Sequence, residues 1–136
     1  MGRVIRRWTL DTGAVIAYQD QKLWMRDVVA AARRGDAEIT IPTTVLVESW
    51  RGSTRERGYW TAQLIGVSII EPLSELLAKR AGELVGRVEG ASAVDATVAV
   101  SAAQRQQATV LTSDPVDLQR LADDLGTIRV WSPRAL

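Results

Sequence analysis

Two short β-favouring runs in this chain end near an aspartate and pass at once into a helix-prone segment. Trp8-Thr9-Leu10 leads straight into Asp11, and Thr109-Val110-Leu111 leads through Thr112 and Ser113 into Asp114. Strand, acidic turn, helix is the repeating unit of a parallel α/β sheet. It sets the carboxylate on the rim at the strands' carboxyl ends, where open α/β sheets bind ligands. If the two strands are neighbours, their acids converge.

The rest of the chain repeats that alternation. Strands are expected at residues 4–10, 38–41, 67–70, 109–111 and 128–131. Helices are expected at 14–18, 23–34, 43–50, 55–64, 73–88, 92–106 and 115–125, with Thr12-Gly13 as a turn. Pro42 suits the first position of the third helix. Ser74 and Ser92 suit the caps of the fifth and sixth helices. The sixth, rich in alanine and valine on most sides, reads as buried against the sheet. Alternating strands and helices predict an α/β fold, a parallel sheet with helices on both faces. No repeat, low-complexity tract or linker divides the 136 residues, so one domain over 1–136 is expected.

What the chain lacks narrows its chemistry. It has no cysteine and no histidine. That removes disulfides, thiol nucleophiles, thiolate zinc sites, imidazole ligands and any Ser-His-Asp arrangement. Catalysis, if present, rests on carboxylates, hydroxyls, lysines and arginines, and oxygen-only ligands suit hard cations. With 17 basic and 16 acidic residues the net charge is +1, so nucleic-acid binding requires local segregation of charge. No apolar run reaches the ~18 residues of a membrane span. Asp11 interrupts any signal-like core after the basic start, and a cytoplasmic protein without membrane contact is expected.

Context sorts the sixteen acids. Asp20, Asp27, Asp36, Glu38, Glu56, Glu71, Glu75, Glu83, Glu89, Asp123 and Asp124 lie in polar settings and read as solvated surface charge. Asp11, Glu48, Asp95 and Asp114 sit among apolar neighbours, where an ionised acid is costly unless paired or bound to metal. Each also has a purely structural explanation. Asp11 can cap the helix after it, and Glu48 can project from the exposed side of its helix. Asp95 follows Ser92 at capping-box spacing, and Asp114 precedes Pro115 at a helix start. Asp117 is an early-helix acid favoured by the dipole. Together the four account for more than their separate explanations do. With adjacent strands all four reach one rim, where they repel and raise one another's pKa unless a cation is bound.

The stretches Leu-Asp-Thr-Gly-Ala-Val-Ile-Ala (10–17), Val-Leu-Val-Glu-Ser-Trp-Arg-Gly (45–52), Val-Asp-Ala-Thr-Val-Ala (94–99) and Val-Leu-Thr-Ser-Asp-Pro-Val-Asp-Leu (110–118) resemble, in order and spacing, the PIN-domain ribonucleases. The nearest group is the VapC-like toxins of type II toxin–antitoxin pairs. The resemblance implies a three-layer α/β/α domain with a five-stranded parallel sheet in the order 3-2-1-4-5. It also implies a Mg²⁺- or Mn²⁺-dependent endoribonuclease. Carried over by motif, Asp11 and Asp95 are the main metal ligands, and Glu48 and Asp114 complete the catalytic cluster. Thr112 orients its neighbours, and Asp117 matches a more variable acid. Leu118 stands where an aromatic is frequent, and Gly13 where a small hydroxyl residue is common. The second departure bears on hydrogen bonding around Asp11.

The chemistry so implied is metal-assisted phosphodiester hydrolysis of RNA, with Glu48 or Asp114 assisting deprotonation. Arg51, Arg55 and Arg57 are the candidate backbone contacts, against a reading of solvated charge. Trp50 and Trp60 could stack bases, though core or subunit packing suits them better. The resemblance further implies a cognate VapB-like antitoxin and a homodimer. Two competing readings remain. One is a non-catalytic RNA- or partner-binding module whose acids cap helices. The other is a phosphotransferase with Asp11 as nucleophile, disfavoured because Gly13 stands where that class usually carries a second acid.

Overall fold

Parallel strands cannot be joined by tight turns, so each strand must hand over to a crossover, and here helices fill all four. The computed structural model describes residues 4–52 and 54–133. In chain order its elements are β1 (Arg6–Leu10), α1 (Thr12–Gln19), α2 (Leu23–Arg33), β2 (Ala37–Pro42), α3 (Thr43–Trp50), α4 (Arg55–Gly66), β3 (Ser68–Glu71), α5 (Glu75–Arg87), α6 (Ala93–Ala103), β4 (Thr109–Leu111), α7 (Pro115–Leu125) and β5 (Arg129–Trp131). The strands form one parallel sheet in the order β3-β2-β1-β4-β5, as expected. β1 and β4 are neighbours, with Leu10 beside Leu111. The expected single domain also takes in residues 1–3, 53 and 134–136, which lie outside the described residues.

The core explains why the central strands are so apolar. Leu10, Ile39, Ile41 and Val110 are fully enclosed, and α6 packs on β1, β2 and β4 with Ala96 to Ala102 all buried. Small side chains let this helix approach the sheet closely, the reason for its apolar circumference. Thr9 and Thr40, side by side in the β1–β2 register, are also buried, and their hydroxyls find no partner among the described residues. On the sheet face beside α2, Trp8, Trp24 and Trp131 line an open groove of about 650 Å³. No helix in the described residues is long and apolar enough to cross a membrane.

Most boundaries shift by one or two residues from the sequence expectation, and three differences have a visible cause. Thr12 and Gly13 are the first turn of α1 rather than a loop, because Asp11 caps the helix one residue before them. Pro42 ends β2, in register with Glu71, and stands at the N-cap of α3 instead of inside it. α6 stops at Ala103 rather than near 106, ahead of the left-handed Gln107.

Glu71, expected as solvated charge, is instead a partly buried structural acid. Arg105 grips it from both guanidinium nitrogens at 3.1 and 3.3 Å, Gln104 donates at 3.0 Å, and the Ser101 hydroxyl donates as well. Both members of the pair are only 18% exposed. Burial alone would raise the Glu71 pKa, but these bonds outweigh it and hold the carboxyl below its usual range. A depressed acid stabilises the fold above its unfolded pKa, and that contribution is lost as pH falls through the folded value. Arg105→Ala should therefore cost about 2 kcal/mol at pH 7, with the deficit narrowing on acidification below about pH 4. Urea unfolding at both pH values checks this. An equal deficit at both would mean that only the packing of Arg105 matters.

Candidate active site

A carboxylate just beyond the last residue of a central strand has little water around it. Asp11 is 7% exposed, and its two oxygens are held by different elements. Oδ1 accepts the Ala14 backbone N–H at 2.8 Å as the N-cap of α1. Oδ2 accepts the Thr112 hydroxyl at 2.5 Å, across the β1–β4 junction. Burial raises the Asp11 pKa, and repulsion from Asp95 and Asp114 adds to it. The two hydrogen bonds pull the other way, and the result is about 6. Asp11 thus caps α1, as one sequence explanation required, and Asp95 and Asp114 lie near enough to repel it.

Glu48 and Asp95 come from different helices brought together by threonines. The Thr44 and Thr97 hydroxyls meet at 2.7 Å and tie α3 to α6. Each lies within about a turn of its helix's acid. Glu48 is exposed, as one reading of its helix required, yet it accepts the Thr12 hydroxyl at 2.6 Å. Asp95 is half-buried, and the Ser92 hydroxyl caps its backbone N–H at 3.0 Å. Burial raises the Asp95 pKa, with repulsion from Asp117, Glu48 and Asp114 adding to it. Mutual repulsion thus links all five expected acids to one another, directly or through Asp95.

Asp114 is exposed and caps α7, its Oδ1 accepting from Val116 N–H at 3.4 Å. Its own N–H donates to the Thr112 hydroxyl at 3.0 Å. Thr112, fully buried, thereby connects Asp11 to the turn that carries Asp114. Asp117 is exposed and 3.6 Å from Arg120, so it is partly neutralised by its own helix.

The donor set suits a hard cation in kind. Among the described residues Asp11, Glu48, Asp95 and Asp114 form no ion pair with lysine or arginine. Like charges facing one another without a cationic partner are what a bound divalent ion would relieve. No three acids among the described residues are yet drawn together tightly enough to enclose one.

The three candidate arginines are unlike one another. Arg51 occupies a left-handed C-cap of α3, and its Nε donates to the Glu48 carbonyl at 3.0 Å. Arg57 bridges Gln19 at 3.0 Å and Asp20 at 2.9 Å. Gln19, buried, also donates to Ser49 O and to the Thr61 hydroxyl, both at 3.0 Å, so Arg57 completes an interior network joining α1, α3 and α4. Arg55 is exposed and without a bond among the described residues. Trp60 packs on the core, edge-on to Tyr18 at 6.0 Å, whereas Trp50 is exposed. Sequence reasoning missed Thr12, Thr44, Thr97 and Gln19. A hydroxyl directly after the capping acid was a usable signal for Thr12, but pairings across 30 residues or more left none for the others.

The sequence profile described as the PIN domain matches residues 9–124, a span containing every candidate acid. No curated protein matches the sequence. Among solved structures the chain resembles VapBC2 from Rickettsia felis, bound to a promoter DNA fragment, at 17% identity and TM-score 0.68 over 93% of this chain and 99% of that one. It resembles DNA-bound VapBC from Salmonella typhimurium at 15% identity and TM-score 0.68, over 94% and 98%. FitAcB from Neisseria gonorrhoeae is similar at 16% identity and TM-score 0.66, over 95% and 99%. At these identities the likeness is one of fold.

Proposed function

The chain belongs to the PIN-domain family, and from that premise we propose that it is a divalent-metal-dependent endoribonuclease acting as the toxin of a toxin–antitoxin pair. The observation that carries the reading is the rim of acids without cationic partners, with Asp11 pushed to about 6 by burial and by its neighbours. Asp11 and Asp95 would hold Mg²⁺ or Mn²⁺, with Glu48 and Asp114 completing the set. Bound there, the ion would stabilise charge on a phosphoryl oxygen and lower the pKa of an attacking water. Thr112 keeps Asp11 turned toward the rim, and Glu48 or Asp114 takes the proton from the attacking water. Arg55 and Arg51 are the proposed RNA-backbone contacts, while Arg57 is held by Gln19 and Asp20 and acts through the fold. A cytoplasmic location is proposed together with that substrate, since the RNA it would cleave is cellular.

The similar structures named VapBC support a cognate VapB-like antitoxin as partner. Homodimerisation is proposed on family resemblance alone. The test is RNA cleavage by the wild-type protein with Mg²⁺, with excess chelator, and by Asp95→Asn. Cleavage should require the ion and fall at least about 100-fold in the variant. Cleavage undiminished under all three conditions would sink the reading.

A non-catalytic binding module is the second reading, favoured by the fact that Asp11 and Asp114 do cap helices. Titration calorimetry with Mn²⁺ separates the two, since caps alone give no binding heat that Asp11→Asn removes.

A further inference from the structure

Gly13 lies in the first turn of α1, directly under the loop that joins β4 to α7. A Cβ built there would stand 2.3 Å from the Ser113 Oγ and 3.5 Å from the Asp11 Oδ1. Its φ is not positive, so backbone conformation does not call for glycine at this position. Space does: the Ser113 hydroxyl occupies the volume that a side chain at 13 would fill.

The hydroxyls around this rim are otherwise committed. Thr12 donates to Glu48, Thr112 serves Asp11 and Asp114, and Thr44 pairs with Thr97. Ser113 is exposed, and its hydroxyl makes no hydrogen bond among the described residues. It is an uncommitted donor beside Asp11, on a rim whose carboxylates offer only acceptors. A phosphodiester brings acceptor oxygens to such a rim and needs donors to meet them.

We propose that Gly13 and Ser113 form a matched pair, in which the missing side chain at 13 admits the Ser113 hydroxyl to bind a phosphate oxygen of the RNA substrate. The proposal rests on the nuclease reading above and assigns a substrate-binding residue to it. The hydroxyl acts on binding rather than on the chemical step, so its loss appears in KM.

Ser113→Ala should raise KM about tenfold with kcat within about twofold, the scale of one hydrogen bond. Affinity for a short RNA oligonucleotide in excess chelator, read by fluorescence anisotropy, should fall by a similar factor. The melting temperature should stay unchanged, since no protein bond is lost. Gly13→Ala should reproduce the KM effect by turning Ser113 away, and the double alanine variant should be no worse than either single one. Gly13→Ser in the Ser113→Ala background returns a hydroxyl to the same space and should restore affinity. A wild-type protein that cleaves RNA while Ser113→Ala keeps KM and RNA affinity unchanged would overturn the proposal and leave the nuclease reading standing. Fully additive effects of Gly13→Ala and Ser113→Ala would overturn it too. No cleavage by wild type under any metal condition would overturn the nuclease reading, and this proposal with it.

Discussion

Asp11→Asn is expected to melt higher than the wild-type protein in metal-free buffer at pH 8, while losing RNA cleavage. The two halves have one origin. The Asp11 pKa is raised from 3.8 to about 6, so the folded state binds its proton more tightly than the unfolded state does. Stability then falls as pH rises through that window, and above it the ionised acid opposes folding by about 3 kcal/mol. Asparagine removes the charge and keeps the bonds. Its carbonyl can accept the Ala14 N–H, and its amide can donate to the Thr112 oxygen, whose proton is then free for the Asp114 carbonyl 3.0 Å away. A rise of about 10 °C in melting temperature is expected at pH 8, vanishing toward pH 4. Mg²⁺ or Mn²⁺ should stabilise the wild type and leave the variant unmoved. Cleavage should drop at least about 100-fold. A variant that melts below wild type at pH 8 would show that Asp11 is there chiefly to hold the fold.

The fold was legible because each strand announced itself by a short apolar run and several helices by a cap. Ser74, Ser92 and Asp114 all stand at N-caps, and Gly126 takes the left-handed position that ends α7. Legibility failed where one residue serves two elements. Pro42 closes a strand and opens a helix, and its sequence signature fits either position. The acids could be picked out because charge among apolar neighbours is rare, whereas the strand order that sets β1 beside β4 came only from the family resemblance. The rim's supporting bonds were not legible. That Glu48 reaches Thr12, or that Thr44 meets Thr97, depends on how helices cross, and no local pattern encodes that. Glu71 was misassigned although Ile69, Ile70, Pro72 and Leu73 surround it, the same apolar context that marked the other four; its partner Arg105 lies 34 residues on, past the end of α6. Of the three arginines chosen by proximity to Glu48, Arg57 is the one tied to the fold, because it reaches the buried Gln19 across 38 residues of sequence and no local pattern pairs the two.

Thr112→Val should lower both stability and activity, and the comparison with Thr112→Ser separates the hydroxyl from the packing. Valine matches threonine in shape, so the fully enclosed site between β4 and β1 stays filled. What goes is one oxygen with three partners: Asp11 Oδ2, the Asp114 N–H and the Asp114 carbonyl. Leaving the Asp114 N–H and one Asp11 oxygen unmet costs about 1–3 kcal/mol. The Thr112 bond is also the larger of the two that hold the Asp11 pKa down against burial, so its loss moves that pKa further up. An acid ligand that takes a proton more readily binds a cation less well near neutrality. The acid limb of the pH–rate profile should therefore move to higher pH in Thr112→Val, with cleavage at pH 7 down about 10–100-fold, as for other groups that orient a ligand. Extra metal ion should recover part of the loss, because the defect lies in Asp11's affinity and not in the reacting atoms. Thr112→Ser, which keeps the oxygen and drops only a methyl, should lose some stability yet retain the wild-type pH profile. If serine and valine shift the profile equally, Thr112 acts through packing alone, and Asp11 is oriented by its cap on α1.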